Sequence, residues 1–395
     1  MPTETTNYDH IPVFDADNHI YEPIEALTKY LPEQHRNKIQ LVQIGRKTRL
    51  ALRGHITDYI PNPTFEVISA PGSHADYYAG KNPLGLTLRE MAGDPIRLTD
   101  AMRWPDARLA LMDEQRIAGA IMYPTLASLV EFRVADDPDL THDVLHALNQ
   151  WIDEVWSFNL KDRVYSAAAL TLALVDRAVE ELEWVLTRGA KAILLRPSPV
   201  VGYHGSRTIS LPEFDPFWAR VQEAGVAVCI HGTQPVTARY ADWWEPRESE
   251  NAFSETPYRH FVQWHRDVQD TLAGFIFHGT FTRFAGLRVA SVENGAEWVR
   301  EFQDKLALLA RRYPKTFAQD PIEQFRQHVY VNPFWEEDVN ELVELCGESQ
   351  VMFGSDYPHA EGLAHPRDFF SNLKGMDEGL IRRIVHDNVL ELLNA

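Results

Sequence analysis

The sequence predicts an α/β fold, a (β/α)8 TIM barrel with an inserted cap after its first strand. Three observations predict it. Eight short apolar runs of strand length recur along the 395 residues, stretches of helical periodicity lie between them, and glycine or polar turns separate helix from strand. Alternation of this kind produces parallel strands joined by helical crossovers, and a count of eight favours a closed ring over an open sheet. The length suits one large barrel domain over residues 1–395, with the cap at about 24–105, although two ordinary domains would also fit it.

The first strand lies within Val13-Phe14-Asp15-Ala16-Asp17-Asn18-His19-Ile20. Side chains two apart on a strand point the same way, so Asp15, Asp17 and His19 share a face, and Asp17 and His19 can converge on one cation. Residues 24–105 break the rhythm with β-like pieces at 48–52 and 64–68 among Pro/Gly turns, which marks the cap. A helix is then expected at 108–116 and a strand at 118–123, stopped by Pro124. Helix 138–160 leads to strand 164–170, helix 177–188 to strand 190–195, and helix 216–224 through Gly225 to strand 226–231. Apolar positions at Phe261, Trp264, Val268, Leu272, Phe275 and Phe284 argue for one long helix over 257–284, followed by strand 287–292. Helix 296–312, strand 328–331, helix 336–345, strand 351–354 and a last helix at 378–393 complete the series.

Composition narrows the function. Apolar residues make up 45% and charged residues 24%, values of a globular chain with a large core. Lysine and arginine total 38 against 57 acids, a net charge of −19, which repels phosphate backbones and anionic membranes. Neither nucleic acid nor membrane is expected as a partner. Cys229 and Cys346 are too few for a disulfide framework or a thiolate zinc site, which fits a reducing cytoplasm. Residues 1–6 lack the basic and apolar regions of a secretory signal, and apolar runs such as 166–175 are too short to span a bilayer. No Gly-x-Gly-x-x-Gly follows any expected strand, which removes the usual dinucleotide reading.

Active sites of such barrels sit at the C-terminal ends of the strands. Strand one ends in Asp17 and His19, strand four in Arg196, strand five in His231, strand six in Glu293, strand seven in Asn332 and strand eight in Asp356. Three carboxylates and two imidazoles converging from four strands repel one another unless a cation holds them, so a divalent metal is the economical explanation. Blander readings exist for each: His231 as a core histidine, Asp356 as a helix cap, Glu293 as the partner of an arginine. His278 falls in a helical pattern and is expected to pack, and the His142/His146 pair lacks the glutamate of a zinc-protease motif and is expected on a solvated helix face.

Several motifs together resemble a known family. They are Asp17-Asn18-His19 with Glu22-Pro23, Trp104-Pro105-Asp106-Ala107-Arg108 with Met112-Asp113, Leu195-Arg196-Pro197, His231, Val292-Glu293-Asn294-Gly295-Ala296-Glu297-Trp298, and Phe353-Gly354-Ser355-Asp356-Tyr357-Pro358-His359. In this order they resemble the amidohydrolase-related branch of the amidohydrolase superfamily, metal-dependent hydrolases and non-oxidative decarboxylases. The resemblance implies a (β/α)8 barrel with Asp17, His19 and His231 as metal ligands and Asp356 as ligand or base. Two departures stand out, since many relatives begin with His-x-His and carry a histidine where Glu293 stands. Carboxylate in place of imidazole favours Mn or Fe over Zn. Lys191 is at the wrong end of strand four to bridge two ions and Arg196 occupies its mouth, so one metal is favoured over two, with a pair bridged by Glu293 as the other case.

The expected enzyme acts on a small organic acid or its amide, by hydrolysis or by loss of CO2. Asp356 would move the proton, Glu293 would bind metal or assist proton transfer, Arg196 would hold a substrate carboxylate, and His359 would be a further donor or acid. Two other classes remain at this point: an Mn- or Fe-dependent oxygen-activating hydroxylase, and a structural subunit supporting a catalytic partner. The cap and the aromatic stretch of Tyr240, Trp243, Trp244, Phe253, Tyr258 and Trp264 would wall the pocket or form a homo- or hetero-oligomeric interface.

Overall fold

A computed structural model describes residues 8–246, 251, 256–263 and 265–394. The leader reading at residues 1–6, and Phe253 and Trp264 of the aromatic stretch, lie outside the described residues. Strands β1 (Phe14–Ile20), β2 (Gly119–Pro124) and β3 (Val164–Ser166) pair in parallel in that order. Ala168–Ala169, just past β3, opens a second parallel sheet with β4 (Ala192–Leu195), β5 (Ala227–His231), β6 (Val289–Val292) and β7 (Val329–Val331). The sheets meet at Ala167, whose N–H donates to the Met122 carbonyl at 2.9 Å, while that of Leu170 donates to Leu194 at 3.1 Å.

Residues 350–357 run between β7 and β1. Met352 N–H donates to the Val331 carbonyl at 3.0 Å, and Ala16 and His19 N–H donate to Phe353 and Tyr357 at 2.9 and 2.7 Å. A regular strand was expected at 351–354, but the pairing is reduced to parallel bridges at Val331–Val351 and Asn18–Tyr357. The cause is on both sides: β1 shifts register between Asp15 and Asn18, and Asp356 turns into the left-handed region at φ 55°.

Helices lie where periodicity placed them, within a few residues: Pro105–Gln115, Pro138–Val155, Val175–Leu186, Asp215–Ala224, Trp298–Arg312 and Val339–Cys346. Strands buried on both faces read as unbroken apolar runs, which is why β4 to β6 were legible. The long helix expected over 257–284 is instead three, Pro257–Gln263, Arg266–Phe277 and Thr280–Arg283. His265 at φ 55° and Gly279 at φ 73° interrupt it; of the expected stripe Val268, Leu272, Phe275 and Phe284 are buried in one core, whereas Phe261, on the piece before His265, is 80% exposed. The last helix is likewise divided, with a π turn at Arg383–Asp387 between Glu378–Arg382 and Asn388–Leu393. Helices Ala127–Val134 and Pro321–His328 were not expected. Segment 24–105 carries an antiparallel sheet of Ile39–Ile44, Lys47–Leu52 and His55–Thr57, and a pair of Val67–Ile68 with Ile96–Arg97. Among the described residues no helix is long and apolar enough to cross a membrane.

The His142/His146 pair does not form a solvated face. His142 is buried and its Nε2 accepts the Leu174 N–H at 3.1 Å, while His146 Nδ1 meets Glu181 at 2.6 Å. His142 falls on the stripe of Thr141, Leu145 and Asn149, all buried. Burial, with the Arg177 charge assisting, holds its imidazole down to about 3 from the ordinary 6.5. Between these values the unfolded chain binds a proton that the folded chain refuses, so stability is fully present above pH 6.5 and falls as the pH drops toward 3. Urea unfolding of wild type is expected to lose a few kcal/mol across this window through His142. In His142→Gln, which keeps an acceptor for Leu174, that part of the slope should vanish; an unaltered slope would contradict the assignment.

Candidate metal centre

β1 delivers Asp17 and His19, β5 delivers His231, the turn after β6 delivers Glu293, and the segment beside β1 delivers Asp356 and His359. His19 Nε2 stands 3.2 Å from Asp17 Oδ1, 3.4 Å from Glu293 Oε2 and 3.5 Å from Asp356 Oδ1. His231 Nε2 stands 3.3 Å from Glu293 Oε2, 3.6 Å from Asp17 Oδ1 and 3.2 Å from His19 Nε2. His359 Nδ1 lies 2.6 Å from Asp356 Oδ1, and its Nε2 bonds Thr125 Oγ1 at 3.0 Å. The donors of Asp17, His19, His231 and Glu293 fall within 4.8 Å of one another, and so do those of His19, Glu293, Asp356 and His359.

Backbone geometry aims these groups. Glu293 and Asp356 both occupy the left-handed region, at φ 52° and 55°, which is uncommon for side chains of this size and turns each out of its segment toward the cluster. Gly354 is required beneath them: a Cβ there would stand 2.6 Å from the Asp17 Cβ and 2.8 Å from the Asn332 amide. A layer of buried polar groups fixes β1 from behind. Asp15 accepts from Ser355 N–H at 2.9 Å and Oγ at 2.5 Å and from Asn18 Nδ2 at 2.9 Å, and Arg108 bonds Asn18, the His19 carbonyl and the Ala101 carbonyl. Glu22, fully buried, accepts the N–H groups of Thr125, Leu126 and Ala127 at 2.8, 2.6 and 2.9 Å and so places the hydroxyl that holds His359.

The electrostatics describe a site that attracts positive charge. Burial alone pulls the His19 imidazole down, but the carboxylates of Asp17 and Glu293 outweigh it and raise His19 to about 9. Burial pushes Asp17 up, yet His19 and His231 hold it below the usual carboxylate range. Asp356 lies well above that range, through burial and then the charges of Glu293 and Asp17, and Glu361 is raised to about 7 by burial and Glu293. His359 is held well below its ordinary value by burial and by His19.

The donor set fits a divalent cation. His231 Nδ1 donates to the Gly232 carbonyl at 2.7 Å, which leaves the Nε2 lone pair facing the cluster, the arrangement of a metal-binding imidazole. Asp17 Oδ1, Asp356 Oδ1 and His359 Nδ1 are buried without a hydrogen-bond partner although neighbours stand 2.6–3.6 Å away. Their lone pairs are thus directed at shared space rather than at each other. Ligands about 2.1 Å from one ion stand about 3–3.5 Å apart, the spacing seen between these atoms. Nitrogen and carboxylate donors without sulfur suit Mn, Fe or Zn.

Arg196 is the one expected site residue that the structure does not bring to the cluster. Its buried guanidinium lies over Phe132 at 5.0 Å, donates to the Gln234 carbonyl at 3.3 Å and neighbours the buried Glu131. Asn332 is buried beside Gly354, and His278, expected to pack within a helix, is instead exposed just past the end of helix Arg266–Phe277, where its Nδ1 bonds Ser210 Oγ at 2.7 Å. Sequence reasoning missed Glu361, Thr125 and the roles of Glu22 and Arg108. The motif residues Glu22-Pro23 and Arg108 were a signal without a mechanism; Glu361 and Thr125 gave none. The cluster faces a cavity of about 640 Å³, walled on one side by Tyr21, Tyr59, Ile60, Phe65 and Ile68.

The amidohydrolase family model matches residues 15–395. The chain belongs to the amidohydrolase family. This amidohydrolase is an enzyme, a hydrolase or a carboxy-lyase, which sets aside the purely structural subunit. It is 24% identical over 316 residues to a 2-amino-3-carboxymuconate-6-semialdehyde decarboxylase of Dictyostelium discoideum, covering 76% of this chain and 80% of that one. A solved amidohydrolase of Mycobacterium avium subsp. paratuberculosis matches at 38% identity and TM-score 0.92, over 97% of this chain and 99% of its own. A dihydroxybenzoic acid decarboxylase of Polaromonas, solved with manganese and 2-nitroresorcinol, matches at 15% identity and TM-score 0.60 over 97% of each chain, a likeness of fold alone.

Proposed function

We propose that this amidohydrolase binds one divalent ion through Asp17, His19, His231 and Glu293 and removes CO2 from a small carboxylic acid. The observation that carries this reading is the convergence of those donors, with Asp356 and His359, at the end of a largely apolar cavity. In this reading the two parallel sheets form one eight-membered barrel closed by residues 350–357, and segment 24–105 is its cap. When bound, the ion supplies a Lewis acid for the oxygens of the substrate.

The remaining chemistry belongs to the chain. The acid end of the substrate lies at the cluster and the apolar wall takes the rest of the molecule, excluding water while the bond between the carboxyl and its carbon breaks. The electron pair stays on that carbon, and Asp356 delivers a proton to it. His359, anchored by Thr125, stands 2.6 Å from the Asp356 carboxyl without hydrogen-bonding to it and limits where it can turn.

Two measurements test this. Protein purified without added ions should contain about one equivalent of Mn, Fe or Zn, and a panel of aromatic and unsaturated acids should include one that releases CO2 only when the ion is present. Amide cleavage without CO2 would replace the reading with hydrolysis, and consumption of O2 with a reductant would replace it with hydroxylation.

A further inference from the structure

The geometry points to a substrate whose acid group is joined to an extended, flat apolar portion, and to Phe65 as the residue that selects it. From the proposed function this takes only that the acid end lies at the metal cluster. A cavity of about 640 Å³ lies in the range that encloses drug-sized molecules, several times larger than a single-ring acid requires. The additional space has a defined wall. Ring contacts lead away from the cluster without a break: His19 to His359 at 4.0 Å, His359 to Tyr21 at 5.6 Å, and Tyr21 to Phe65 at 4.7 Å. Ile68 continues the same wall.

Phe65 is held in place at a cost. It adopts φ 52°, a conformation that bulky side chains avoid, and it is 4% exposed. One guanidinium fastens both ends of the ring pair, since Arg103 Nε donates to the Tyr21 carbonyl at 3.0 Å and Nη2 to the Thr64 carbonyl at 3.1 Å. The turn is also tied internally, by Phe65 N–H to the Asn62 carbonyl at 3.1 Å, Thr64 Oγ1 to Asn62 Oδ1 at 2.9 Å and Asn62 Nδ2 to the Val67 carbonyl at 2.6 Å. Phe65 is itself part of the buried core and meets the cavity only with the part of its ring left uncovered, so this turn fixes the shape of the wall before a ligand arrives, and ordering before binding spares affinity.

The test is calorimetric and needs no turnover. Benzoate and biphenyl-4-carboxylate share an acid end and differ in the apolar portion. On the metal-loaded protein the longer acid should bind at least about tenfold more tightly, the return expected for burying one additional ring. In Phe65→Ala the ratio of the two Kd values should fall toward one with metal content unchanged, and in Ile68→Trp, which fills the space, the longer acid should lose its advantage. Phe65→Leu replaces Phe65→Ala if the latter fails to fold, with an intermediate ratio expected. Equal binding of the two acids by wild type, binding of neither, or a ratio that survives in folded Phe65 and Ile68 variants would overturn the inference. The expected ratios without release of CO2 from any acid would leave it standing and overturn the decarboxylase reading alone.

Discussion

Replacing His231 with alanine is expected to strip the protein of its metal and to lower turnover at least about 1,000-fold. The imidazole has one tautomer available to it, because Nδ1 is committed to the Gly232 carbonyl at 2.7 Å and only Nε2 faces Asp17, Glu293 and His19. Alanine leaves the cluster with one imidazole fewer among carboxylates that already crowd one another, and β5 offers no other donor at that end, since the strand closes Ala-Val-Cys-Ile-His with Cys229 buried two residues earlier. Elemental analysis of the variant against wild type, both purified without added ions, reads the outcome directly. Metal retained at wild-type stoichiometry together with near-normal turnover would remove His231 from the ligand set and with it the geometry proposed for the centre.

β5 was legible because burial on both faces left His231 as the polar end of an apolar run, whereas β1 carries Asp15, Asp17, Asn18 and His19 and was read from its alternation, which puts Asp17 and His19 on one face. Glu293 and Asp356 were placed at strand ends by the same logic, yet their left-handed backbone, which turns them toward His19, leaves no mark on a pattern of apolar and polar residues. Arg196 shows the limit of the argument. Its position after β4 was read correctly, but the direction of a long side chain depends on what else is buried nearby, and Glu131 arrives from the unexpected helix Ala127–Val134 more than 60 residues earlier in the chain. The broken helix of 257–284 fails for a related reason, as hydrophobic spacing reports the face turned to the core and says nothing of a kink at His265. Thr125 and Glu361 had no signal because each gains its importance only from partners distant in the chain, His359 for the first and Glu293 for the second.

Asp356→Asn separates metal binding from proton transfer. Asp356 lies outside the first donor group of Asp17, His19, His231 and Glu293, so that group survives the substitution and the metal should stay. The backbone should stay as well, since asparagine tolerates the left-handed region and the N–H of residue 356 still reaches the Asp17 carbonyl at 2.9 Å. The amide retains the size of the carboxyl but neither takes up nor releases a proton at neutral pH, and positioned proton transfer contributes about 100- to 10,000-fold to a rate. Turnover is therefore expected to fall by about that factor at unchanged metal content and with substrate binding altered far less than turnover. Loss of the ion along with activity would move Asp356 into the ligand set and make the second donor group, His19, Glu293, Asp356 and His359, the one that holds it. Turnover within tenfold of wild type would mean that the proton reaching the substrate carbon comes from elsewhere, with Glu361, a half-buried acid facing the same cavity and raised to about 7, the next residue to replace.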